Sequence, residues 1–279
     1  MNTYDNIILK IKHWAKNNDD IRAVLIVGSR ANSIDPPDKY SDLDIIFITK
    51  NIEFYEKNTE WIKAFGIPIV CFTEPTFTAS FEHRVLYESF LDVDIILGDS
   101  EKSDNLFNEI FLIIVKRGYR FVIDKDNYEK SLEKKEKPSK TTTINIDDIS
   151  NEINNYWFHC IWLSKKILRG ELWTAVKALN SYFSTRLLYM MEANKKISTN
   201  FIDDTWYEGR HMEKWADSLV IKQIQGSFTD YDKQGIIKSL YHHMNFYYKL
   251  SSKVANYYGI EYPKIARNKI INWINENLK

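Results

Sequence analysis

The chain has 279 residues, 44% of them hydrophobic and 27% charged, which supports a substantial core and excludes global disorder. Its 38 basic and 38 acidic residues cancel. The composition therefore offers no phosphate-neutralising surplus of the kind that marks nucleic-acid binders, and a small-molecule substrate fits better. The two cysteines, Cys71 and Cys160, stand far apart without zinc or thiol-redox spacing, and reduced thiols are expected.

Residues Ile7 to Asn17 place Ile7, Ile8, Ile11, Trp14 and Ala15 at helical spacing. Ile21 to Val27, short and β-branched, predicts a strand. Gly28-Ser29-Arg30-Ala31-Asn32 and a Pro-rich turn at Asp35 to Asp38 lead to a second strand, Asp42 to Thr49. Ile67 to Phe72 predicts a third strand, and Tyr87 to Leu97 contains a fourth. Tyr128 to Thr143 is charged, poor in large apolar groups and interrupted by Pro138, which makes it the candidate boundary between residues 1–138 and 139–279. Beyond it Ile149, Ile153, Tyr156, Trp157, Cys160, Leu163 and Ile167 recur at helical spacing until Gly170. Further helices are predicted at Leu172–Met191, Gly235–Tyr258 and Ile265–Leu278. The first half thus mixes strands and helices, and the second reads as a helical bundle rich in Trp and Tyr. Met1 to Asp20 carries no apolar signal core and no window is apolar for long enough to span a bilayer, so a cytoplasmic protein without a membrane partner is expected.

The chemistry is concentrated in Val24 to Thr49. In an extended strand Asp42 and Asp44 share a face while Leu43 and Ile45 point into the core. Paired carboxylates form an oxygen-rich ledge suited to Mg²⁺, which would neutralise both and hold phosphate oxygens. Taken singly, the pair also fits a solvated strand face. Gly28 permits close approach of an anion to the backbone, the residues after it read as a helix start, and the Ser29 hydroxyl can donate to phosphate. Gly28-Ser29 without the acids would read as a turn; the combination in this order is far more specific. A third carboxylate is expected from Leu91 to Ile95. There Asp92 is the first choice, as metal ligand or as acceptor of a hydroxyl proton, and Asp94 is the second.

Gly28-Ser29, Asp42-x-Asp44 and Asp92 on a later strand resemble the polymerase-beta nucleotidyltransferase superfamily. Within it, GSRANSIDPPDKYSDLDI is similar to the aminoglycoside 6-adenylyltransferases that modify streptomycin. The likeness continues through Trp61–Gly66, Leu91–Asp92, Lys137–Thr142, Tyr156-Trp157, Lys165 to Glu171 and Glu261–Pro263. The chain departs from the family at Leu43, where Tyr is usual, at Asp94, where Thr or another non-acid is usual, and at Asn155, where an acid is expected. Lincosamide nucleotidyltransferases share the layout and the Arg169-Gly170-Glu171 turn.

The resemblance implies an α+β chain: a polymerase-beta-like nucleotidyltransferase domain with a mixed sheet (1–138), then an all-α substrate-binding domain (139–279). It implies Mg²⁺, ATP as co-substrate and AMP transfer to a hydroxyl of a cationic antibiotic, with pyrophosphate leaving. Asp42, Asp44 and Asp92 are the expected catalytic and metal residues. Gly28, Ser29, Arg30, Lys165 and Arg169 are the expected nucleotide contacts. Lys165 and Arg169 are four apart and read either as a phosphate clamp or as a solvated basic face. Gly209-Arg210 with Lys214 is a second, weaker basic candidate. Glu88, Asp99, Glu101, Asp203, Asp204 and Glu208 are available to a polycationic acceptor. His242 and His243 diverge on a helix and do not read as a pair. The alternatives are a lincosamide or other small-alcohol transferase of the same fold, or a silent nucleotide-binding module; retention of the acids argues against silence.

Overall fold

The computed structural model describes residues 3–32, 36–76, 81–102, 117–133, 146–203, 205 and 208–278. The chain divides into two compact units, Met1–Pro138 and Ser139–Lys279. Elements are numbered along the described residues.

In the first unit, helix α1 (Tyr4–Lys16) starts at Thr3, whose hydroxyl accepts from the Asn6 amide. It buries Ile7, Ile11 and Ala15, one apolar stripe at helical spacing. Six strands follow: β1 (Ile21–Ile26), β2 (Leu43–Thr49), β3 (Pro68–Pro75), β4 (Phe81–Tyr87), β5 (Leu91–Asp99) and β6 (Arg120–Asp124). They form one sheet in the order β3-β4-β5-β2-β1-β6, in which only the β2–β5 pair is parallel. Helix α2 (Ile52–Lys57) lies in the β2–β3 connection. One sheet face is covered by α1 and an aromatic group of Trp14, Phe47, Tyr55, Trp61 and Phe65. On the other face, Ala23, Leu25, Ile46 and Ile48 pack against Tyr128 and Leu132 of α3 (Tyr128–Glu133).

Strand β4 adds to the four strands expected from the sequence, which places none over 81–86. The turn joining it to β5 holds Ser89 and Phe90 in the left-handed region, without the Gly or Asn that normally announces such a conformation. Tyr128–Glu133 likewise departs from the expected linker. The Asp124 carboxylate accepts from the Tyr128 and Glu129 amides at 3.0 Å each, and Tyr128 and Leu132, four apart, close onto the sheet. Residues 134–143 of the expected linker lie outside the described residues.

The second unit is helical: α4 (Ile146–Leu168), α5 (Leu172–Ala178), α6 (Ser184–Ser198), α7 (Met212–Trp215), α8 (Ser218–Ile224), α9 (Lys233–Tyr257) and α10 (Lys264–Asn277). The single helix expected over Leu172–Met191 is interrupted by a π-helical turn at Leu179–Phe183. The Tyr156 and Tyr247 rings stack at 3.5 Å in the core. Trp157 Nε1 donates to Tyr262 Oη at 2.8 Å, which also hydrogen-bonds Ser251, so the Tyr156-Trp157 and Glu261–Pro263 motifs meet there. The α+β class expected from the sequence is observed: a mixed sheet with helices, then an all-helical unit. Among the described residues no helix is long and apolar enough to cross a membrane.

Glu152 of α4 sits inside this helical core, with Arg186 Nη1 donating to it at 2.9 Å. Burial outweighs that pairing and raises its carboxyl to about 7. The folded state therefore holds the proton more tightly than the unfolded chain. The resulting stability is fully present below the ordinary carboxylate range and is lost as pH rises through about 7. Thermal unfolding of the wild type should accordingly show a falling melting temperature between about pH 5 and 8. Glu152→Gln should flatten that fall, and parallel slopes for the two proteins would contradict the assignment.

Candidate functional site

The N-terminal end of β2 carries Asp42 and Asp44, with Leu43 and Ile45 fully buried on the opposite face. Further along β2, the face that bears the acids becomes apolar at Ile46 and Ile48, where α3 covers it. The open part of the sheet face is therefore the part that bears charge. Strand β5 runs parallel in a register that sets Leu43 beside Val93 and Asp44 beside Asp94. Asp42, Asp44 and Asp94 each present a carboxylate oxygen, and these oxygens all lie within 4.8 Å of one another.

Asp92, the first choice for the third acid, is one strand step away on the same face and is not among these three. It is exposed, and it accepts a hydrogen bond from Tyr4 Oη at 2.8 Å. Burial, followed by the bond to Asp92, pushes the Tyr4 hydroxyl up to about 12, so it stays a donor through the neutral range. Burial raises the Asp94 carboxyl above its ordinary range, and Asp42 and Asp92 add repulsion against the opposing pull of Arg84. Asp94 Oδ2 accepts from Arg84 Nη1 at 2.6 Å, and the same guanidinium pairs with Glu82 at 2.7 Å and with Glu74. Arg84 and Glu82 stand on β4, for which the sequence gives no separate expectation, and Glu74 stands on β3 beyond the Ile67–Phe72 stretch expected from the sequence. The alternation of Glu82 and Arg84 with buried His83 and Val85 was the available signal.

Gly28 follows β1 with φ of +67°, and a Cβ there would lie 2.1 Å from Asp44 Oδ2. Only glycine permits both that backbone and that contact. Gly28–Ala31 is a four-residue 3-10 turn rather than the start of a longer helix. Ser29 Oγ is buried and, among the described residues, has no hydrogen-bond partner, an uncompensated hydroxyl on the turn that abuts Asp44. Arg30 is engaged by the protein itself. Its Nε donates to the Asp42 carbonyl at 2.7 Å, its Nη2 donates to the Ser41 carbonyl at 2.6 Å, and its guanidinium lies 3.7 Å from the Tyr4 ring centroid.

Three crowded carboxylates, with an orphaned hydroxyl on the adjoining turn, are a donor set that fits a hard divalent cation and a phosphate group. In the helical unit, Lys165 is exposed near the end of α4, and Arg169 in the turn beyond pairs with Glu171 at 3.0 Å. Asp99 pairs with Lys102 and Asp203 with Lys195. Glu88, Glu101, Glu208 and Arg210 are exposed, and Asp204 lies outside the described residues. His242 and His243 bond to different carbonyls, those of Gln223 and Ser227. Cys71 and Cys160 are free thiols raised by burial.

The sequence profile of the Streptomycin adenylyltransferase family matches residues 1–277. An aminoglycoside 6-adenylyltransferase of Bacillus subtilis (strain 168) is 24% identical over 262 residues, covering 90% of this chain and 89% of the relative. One from Campylobacter jejuni is 23% identical over 277 residues, covering 95% and 92%. One from Staphylococcus aureus is 22% identical over 290 residues, covering 99% of each. A crystal structure of an aminoglycoside 6-adenyltransferase from Bacillus subtilis aligns at 18% identity with a TM-score of 0.46, covering 98% of this chain and 96% of that one. With a match from end to end of the chain, the protein belongs to the streptomycin adenylyltransferase family and is a nucleotidyltransferase.

Proposed function

We propose that the protein transfers AMP from ATP to a hydroxyl of an aminoglycoside of the streptomycin type, releasing pyrophosphate. The observation that carries this reading is the convergence of Asp42, Asp44 and Asp94 beside Gly28-Ser29 in a chain matched throughout by one adenylyltransferase family. The curated relatives are named as aminoglycoside 6-adenylyltransferases, which supports the acceptor class. The charge of the sheet supports it too. Glu74, Glu82, Asp92, Asp94 and Asp44 share one face with Asp42 at its edge; Arg84 on the same face offsets one of these charges, and a polycation is attracted to the acidic excess that remains.

Asp42, Asp44 and Asp94 would hold Mg²⁺, which when bound supplies charge neutralisation for the phosphates. Ser29 and the turn amides of Gly28–Ala31 would donate to phosphate oxygens. Asp92, outside the cluster, would accept the proton of the attacking hydroxyl. Arg30 would act through the backbone that it holds. Lys165 and Arg169 would add nucleotide contacts from the helical unit, with residues 1–138 as the ATP unit and 139–279 contributing acceptor contacts.

The roles of the two β5 acids separate experimentally. Asp94→Asn should weaken Mn²⁺ binding measured by electron paramagnetic resonance. Asp92→Asn should leave Mn²⁺ affinity intact and lower kcat by about 10²–10⁴-fold. Incubating the protein with Mg-ATP and a panel of aminoglycosides and lincosamides should give a mass gain of one AMP on an aminoglycoside. A gain confined to lincosamides would overturn the acceptor, and no gain on any member would overturn the proposal.

A further inference from the structure

Tyr4 opens α1, far in sequence from β2 and β5, yet it contacts both Asp92 of β5 and Arg30 of the turn that precedes β2. Its hydroxyl donates to Asp92 Oδ1 at 2.8 Å. Its ring lies 3.7 Å from the guanidinium carbon of Arg30. Arg30 in turn donates to the carbonyls of Ser41 and Asp42, the residues that lead into β2. One side chain thus connects the carboxylate of Asp92 on β5 to the backbone of Asp42. An exposed Asp rotates freely about its side-chain bonds unless something restrains it, and a half-buried aromatic hydroxyl on a helix anchored to the sheet by Ile7, Ile11 and Ala15 is such a restraint.

We infer that Tyr4 is a positioning residue that fixes the Asp92 carboxylate and, through Arg30, the entry of β2. The inference rests on the proposed role of Asp92 as proton acceptor. With one oxygen held by Tyr4, the other oxygen of Asp92 remains directed for the acceptor hydroxyl. Geometry of this kind governs the rate of the chemical step more than substrate affinity, because the group acts only once the substrate is in place.

The test is a double-mutant cycle on the full chain with Tyr4→Phe and Asp92→Asn, reading kcat, KM for ATP, Mn²⁺ affinity and melting temperature. Phe keeps the ring under Arg30 and removes only the donor. Tyr4→Phe should lower kcat about tenfold, the scale of losing an orienting hydrogen bond. KM for ATP, Mn²⁺ affinity and melting temperature should stay at wild-type values. In the Asp92→Asn background the same change should have no further effect, since the two residues act as one unit. Tyr4→Leu, which also removes the ring, should cost more than Phe. If Asp92→Asn lowers kcat and Tyr4→Phe does not, the positioning role is overturned and that of Asp92 stands. Additive losses, or a fall in melting temperature that accounts for the lost activity, also overturn it. Wild-type kcat in Asp92→Asn would instead refute the role of Asp92 and the inference with it.

Discussion

Asp44→Asn is expected to reduce turnover by about 10³-fold or more, the scale of removing a preorganised charge-stabilising group, while the fold survives. Asp44 lies at the centre of the site. It pairs in register with Asp94, its carboxylate joins those of Asp42 and Asp94, and its Oδ2 lies against Gly28. Asn keeps the shape and removes the negative charge. The carboxylate belongs to the open end of the face, so no core contact is lost. Removing one of three crowded like charges should, if anything, relax the folded state. Asp42→Asn should behave in the same way. Near-wild-type melting with activity retained within a few-fold in either variant would dissociate the ledge from the reaction.

Gly28→Ala should be nearly as damaging for a different reason. The backbone there has φ of +67°, which for a residue with a Cβ carries a strain of about 1–2 kcal/mol. The larger consequence is local, because the new methyl would start 2.1 Å from Asp44 Oδ2, and the carboxylate must move away. A displacement of about 1 Å in a reacting group can cost about 10²-fold. The variant should therefore fold, bind Mn²⁺ more weakly and lose about two orders of magnitude in kcat. A substitution placed only at a turn would lower stability without changing metal affinity, and that result would contradict the close-approach reading of Gly28.

Much of this site was legible in the sequence because it is local. β1, the Gly28 turn and β2 follow one another within Ile21–Thr49, and strand alternation alone puts Asp42 and Asp44 on one face. The long helices α4, α9 and α10 were legible for the same reason, their apolar stripes recurring at three and four residues. The rest depends on non-local pairing, including the place of Asp94, which strand alternation offers only as the second choice for the third acid. Asp94 enters the carboxylate cluster only because β5 lies parallel to β2 in the register Asp44 to Asp94, and no local pattern encodes that. Arg84 faces Asp94 from a strand hidden by an unmarked turn at Ser89-Phe90. The contact of Tyr4 with Asp92 spans 88 positions. Arg30, expected from the sequence as a nucleotide contact, donates to two backbone carbonyls, which composition and spacing do not encode.

Under the proposed function the Asp42/Asp44/Asp94 ledge directs transfer of the adenylyl group, rather than a terminal phosphate, to an aminoglycoside. Incubating the protein with streptomycin and either α-labelled or γ-labelled ATP, and following the label, separates these outcomes. Adenylyl transfer gives α-label on the drug and γ-label in free pyrophosphate, with neither transfer in Asp44→Asn. Label from the γ position on the drug, or α-label transfer that persists unchanged in Asp44→Asn, would contradict it.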